Sequence, residues 1–181
     1  MDVLNKLNQL FLSVWKQGIL GVDFFQIIIG IGIFIVFLIF RGLISKLVIK
    51  KLELISKRTT NKLDDTFVKS MEGPARFLPI VLGVFFASYY MSFDNETRGF
   101  IDNINRTLIT ILIFWIIHQI IEPLSYILSG LDKVLTKELI GWIIKSLKIL
   151  IFILGAAAVL ELWGIKTVSY THLRAHETNV D

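Results

Sequence analysis

Cysteine is missing from all 181 residues, which excludes disulfides, thiolate metal sites and cysteine nucleophiles. Histidine is scarce. Of the three, His172 and His176 form an H-x-x-x-H pair, but it lacks the glutamate of the H-E-x-x-H arrangement and has no third ligand in view. No phosphate-binding loop, triad spacing or paired-carboxylate site is present. Asp64 and Asp65 are adjacent, so in a helix they point about 100° apart, and capping or loop ion pairs account for them better than acid–base chemistry. The sequence therefore predicts no enzyme, no metal and no cofactor. A secretory leader is also lacking, because Lys6 and Lys16 bracket a mixed polar stretch with Asn5, Gln9 and Gln17 and no small-residue cleavage site follows.

What the chain has is apolar length. It is 54% hydrophobic with a mean hydropathy of +0.68, well above a soluble domain, where apolar residues make up about 45–50% even counting glycine. Phe24 to Phe40 carries no charge, and Gln26 is its one strongly polar side chain. Further apolar runs cover Arg76 to Phe93, Thr107 to Leu128 and Leu139 to Trp163. Trp142 and Trp163 are spaced by about 31 Å of helix, the height of a hydrocarbon core with an aromatic residue at each face. The fold class is thus all-α: four transmembrane helices at about 23–42, 75–93, 107–129 and 139–163, preceded by an interfacial amphipathic helix over residues 1–20. That first helix places Leu4, Leu7, Phe11 and Val14 on one side and Asn5, Asn8 and Gln9 on the other. It reads either as a paddle in the outer interface or as a plain lead-in.

Between the first two runs, Arg41 to Arg76 holds Arg41, Lys46, Lys50, Lys51, Lys57, Arg58, Lys62, Lys69 and Arg76 against Glu53, Asp64, Asp65 and Glu72. Such a surplus keeps a loop on the cytoplasmic side, which sends the N-terminus outside and fixes the other spans by alternation. The same cations, with the sequence pI near 9.3, read as a topology determinant and a contact for anionic lipid headgroups rather than for nucleic acid. Asp94 to Arg106, of mixed charge, is expected to be a short outer loop.

Ionisable groups at membrane depth are costly and often functional. His118 and Glu122 lie four apart on one helical face, able to pair, relay a proton or simply snorkel at the inner end of the third span. Lys145 and Lys148 share a face of the fourth span near its start, within reach of headgroups. Gly155, Ala156, Ala157 and Ala158 form a small-residue patch where helix backbones can approach.

The stretch KRTTNKLDDTFVKSMEGPARFLPIVLG, Lys57 to Gly83, resembles the region ahead of the pore domain in bacterial members of the small-conductance mechanosensitive channel (MscS) family, especially those with extra outer helices. Its most specific part is Arg58, Thr59, Leu63, Asp64 and Asp65. The third and fourth spans, closing on LELWGIKT, look like the two helices that precede that family's pore helix. The resemblance covers about Phe24 to Thr167. It implies the N-terminal sensor portion of a tension-gated ion channel in the bacterial inner membrane, homo-heptameric when full-length, with Arg58, Asp64 and Asp65 in the connection between sensor and pore. After Thr167 the family pattern stops, and Val168 to Thr178, VSYTHLRAHET, resembles translated sequencing adapter, so residues 168–181 are expected to be an artefactual or disordered tail. Two other readings stay open: a small membrane scaffold whose basic loop docks a partner or lipid, and a transporter fragment with a broken helix at His118, Glu122 and Pro123.

Overall fold

The computed structural model describes Lys6 and residues 22–56, 62–129 and 136–165. The expected interfacial helix, apart from Lys6, lies outside the described residues, as do Arg58 and the tail from Val168. Every element described is an α-helix: α1 (Phe24–Ser56), α2 (Lys62–Ser70), α3 (Glu72–Tyr90), α4 (Asn95–Ser129) and α5 (Lys137–Leu162).

α1 is apolar all round through Phe40 and then continues without a break past Arg41, Lys46 and Lys50. Its 33 residues rise about 50 Å, against about 30 Å of hydrocarbon, so the cationic end projects beyond an apolar slab of bilayer thickness. Gln26, the lone polar side chain of the charge-free run, accepts a hydrogen bond from the Ser92 backbone N–H at 3.1 Å, which ties the start of α1 to the loop after α3.

The Gly73-Pro74 pair does not end a helix; it sits in the first turn of α3, where proline's missing N–H would have had no intrahelical partner in any case. α3 packs on α1 along one side and on α4 along the other. Its buried residues, Pro74, Ala75, Pro79, Val81, Gly83 and Ala87, are small or compact, as close approach of helices within a membrane requires.

Asp94 to Arg106 is helical rather than a loop. Asp94 caps α4, its Oδ1 accepting from the Thr97 N–H at 2.7 Å, and Glu96 follows in the first turn, where a negative charge is favoured. Mixed charge suggested a loop, but the cap and the apolar spacing of Ile101, Ile104 and Leu108 extend the helix outward from the apolar run. Thr97's backbone N–H, and then its side chain, hold the Asp94 carboxyl below its ordinary value of 3.8. A depressed carboxylate stabilises the helix start above the ordinary value and loses that effect as the pH falls through the folded-state value. Protection of the Thr97 amide relative to its intrinsic exchange rate is therefore expected to fall on acidification below 3.8, and in Asp94→Ala to be low and insensitive to this titration.

α5 is capped by Thr136, whose Oγ1 accepts from the Leu139 N–H at 3.3 Å. It closes in a Schellman motif: the Gly164 N–H donates to the Glu161 carbonyl and the Ile165 N–H to the Leu160 carbonyl, both at 3.0 Å, with Gly164 at φ +78°. An L side chain resists that conformation by about 1 kcal/mol. Gly164→Ala is accordingly expected to speed exchange of the Ile165 amide about fivefold, a change measurable by NMR in micelles.

Among the described residues three helices are long and apolar enough to cross a membrane: Phe24–Leu54, Asn95–Ser125 and Lys137–Leu162. α3 is not among them. Glu72 and Arg76 stand inside its first turns, leaving Phe77 to Tyr90 free of charge, which rises only about 21 Å.

Candidate functional site

α4 and α5 form an antiparallel hairpin whose register can be followed from end to end. At one end the Trp163 Nε1–H donates to Thr107 Oγ1 at 3.1 Å, and Phe100 meets the same indole edge to face at 5.5 Å. Midway, α5 approaches so closely at Gly155 that a Cβ there would lie 3.0 Å from Phe114 Cγ. At the other end Lys148 Nζ pairs with Glu122 Oε2, above a core of Ile121, Ile140 and Ile144.

The polar residues singled out in the spans are thus partly brought together. Glu122 pairs with Lys148 on the facing helix, not with His118 on its own. Pro123 follows it without interrupting α4, and the Ser125 hydroxyl donates to the Glu122 carbonyl at 2.6 Å. The His118 side chain instead lines an apolar groove of about 570 Å³ between α4 and α5, with Phe114, Trp115, Phe152, Gly155 and Ala156. Lys145 is exposed. Of the small-residue patch, Gly155 is buried against Phe114, Ala157 and Ala158 are half-buried, and Ala156 is exposed. Asp64 and Asp65 fall in α2, which rests on α4 and α1. Among the described residues no cluster of three His, Asp or Glu side chains is placed to hold a metal ion.

Sequence reasoning did not anticipate the contacts of Asn105. Its Nδ2–H donates to Ser88 Oγ at 2.7 Å, and that hydroxyl donates to the Phe85 carbonyl at 3.0 Å, a polar tie between α3 and α4. The available signal was Ser88, a serine in an otherwise apolar stretch and so in need of a partner; Asn105, among Asp102, Asn103 and Arg106, gave none.

Outside these contacts the helices turn large apolar side chains outward. Trp142 and Phe152 of α5 are each 72% exposed and Ile39 of α1 is 70% exposed, far more contiguous apolar surface than a water-soluble monomer presents.

No family model and no solved structure matches the chain. Two curated proteins do. An uncharacterized MscS family protein of Aquifex aeolicus (strain VF5) is 23% identical over 160 residues, covering 86% of this chain and 43% of that protein. The uncharacterized MscS family protein YhdY of Bacillus subtilis (strain 168) is 30% identical over 108 residues, covering 60% of this chain and 29% of that protein. The chain is thus similar to MscS family proteins. These similarities and the apolar helices among the described residues together make the chain a multi-pass membrane protein. It covers less than half the length of either MscS relative.

Proposed function

We propose that this chain is the N-terminal membrane region of a tension-gated channel, its helices forming a lipid-facing sensor that biases a pore helix farther along the parent protein. The observation that carries the reading is the pairing of MscS relatives with helices whose apolar faces are left to the lipid. Tension favours whichever state occupies more area in the membrane plane. Outer helices act on a pore only through a free-energy difference between its closed and open states. α3, shielded on both sides by α1 and α4, serves as the second of the four spans despite its short charge-free length. The cations at the junction of α1 and α3 place that end on the cytoplasmic side, with the N-terminus outside the inner membrane. The parent assembles as a homo-heptamer, and anionic headgroups gather at the cationic end.

Arg58, Asp64 and Asp65 are assigned to the connection through which sensor and pore communicate. Neutralising all three in the full-length parent is expected to shift the tension threshold measured by patch clamp; an unchanged threshold removes them from the coupling. A transporter reading draws on His118 and Glu122, but Glu122 is engaged by Lys148 and α4 runs unbroken through Pro123.

A further inference from the structure

Where α1 leaves its charge-free run it opens a second cleft, against the start of α3. Arg41, Gly42, Ser45, Lys46, Lys50, Glu53, Glu72 and Arg76 line about 590 Å³. Four cations face two carboxylates there, and one of the four, Arg76, is held 3.5 Å from Glu72. Arg41, Lys46 and Lys50 are left against Glu53 alone. Ser45, only 6% exposed, is the buried polar residue of the wall.

Two features set the chemistry of what fits. The excess of positive charge selects an anion, and ammonium and guanidinium donors match phosphate oxygens. The level selects its source: Phe24 to Phe40 rises about 25 Å, so the cleft begins where hydrocarbon gives way to headgroups. Beside the cations, Phe40, Leu43 and Leu47 are exposed at 46%, 57% and 64%, an apolar strip on which acyl chains can lie. A soluble anion would use the cations and leave the strip bare.

Resting on the membrane reading above, we infer that this cleft between α1 and α3 seats the phosphate of an anionic phospholipid, with Arg41, Lys46 and Lys50 as its donors. Glu53 opposes the ligand and keeps the site from holding it irreversibly.

The test uses the whole chain in phosphatidylcholine nanodiscs or mixed micelles, with phosphatidylglycerol binding counted by native mass spectrometry. K46Q/K50Q is expected to weaken phosphatidylglycerol binding about thirtyfold, at about 1 kcal/mol per cation near the membrane surface. K51Q/K137Q, which removes as much charge outside the cleft, is expected to change it less than threefold. E53Q is expected to tighten binding, a gain that misfolding cannot produce. Equal losses in the two double variants would reduce the site to general surface charge and overturn it. Displacement of phosphatidylglycerol by millimolar inorganic phosphate would assign the cleft to a soluble anion and overturn the lipid assignment. Membrane insertion is scored separately by alkaline extraction. Extraction of the wild-type chain defeats the membrane reading itself and the lipid site with it, whereas insertion without a phosphatidylglycerol preference defeats only the site.

Discussion

Gly83→Leu is expected to force α1 away from α3 and to destabilise the bundle by about 3 kcal/mol. A Cβ added at Gly83 would stand 2.9 Å from Phe37 Cβ and 3.1 Å from Phe34 Cδ2. The first of these is the root of a side chain, not a movable tip, so α1 must shift as a body. That shift would also undo the stacking of Phe37 on Phe86, now 5.6 Å apart at 13°. Gly32 on α1 supplies the contrast, because nothing lies within 4 Å of a Cβ built there. Gly32→Ala is expected to stabilise by about 0.5–1 kcal/mol through helix propensity alone. Unfolding of both variants in one detergent, followed by circular dichroism, measures the two effects with opposite signs. Equal and small effects would mean that α1 and α3 do not meet at Gly83.

The second large effect is expected at the pair joining α4 to α5. Lys148→Gln leaves the Glu122 carboxylate without its counter-charge next to buried Ile121, near the inner end of a span on the proposed topology. An exposed pair in water contributes about 0.2–1 kcal/mol, whereas a lone charge at the bilayer centre costs about 2.5–3.5 kcal/mol. Near the end of a span the cost lies between, about 2 kcal/mol. The exchanged pair, Glu122→Lys with Lys148→Glu, restores the attraction and is expected to recover more than half of that loss. A double-mutant cycle with a coupling below about 0.5 kcal/mol would make the pair an ordinary wetted surface contact.

Where the sequence was readable, one physical property dominated. The charge-free run from Phe24 and the run ending at Trp163 were plain because length and hydropathy agree there, although α1 runs on to Ser56, well past the apolar run. α3 is harder to read. Its helix begins at Glu72 with two charges and Pro74 in its early turns, and its apolar content serves contact with α1 and α4 more than exposure to lipid. At Asp94 to Arg106 the charges outweighed the cap in the reading, while in the structure the cap and its hydrogen bonds prevail.

Partners across helices were the least legible feature. Helical spacing put His118 beside Glu122, but spacing along one helix is silent about the helix opposite. A register rule would have found Lys148. In the α4–α5 hairpin, Glu122–Lys148, Phe114–Gly155 and Thr107–Trp163 are each symmetric about position 135 to within half a residue. Two facing helices joined by a short connection thus disclose all such pairs once one is known. No comparable rule places Arg58, whose proposed role stands on the family resemblance.

The most direct test of the account is a pressure ramp on membrane patches holding the full-length parent protein. The account predicts stepwise currents that open with suction and whose threshold moves when Arg58, Asp64 and Asp65 are neutralised. Patches that contain the protein and reach lysis without such currents would contradict it, and the scaffold reading would take its place.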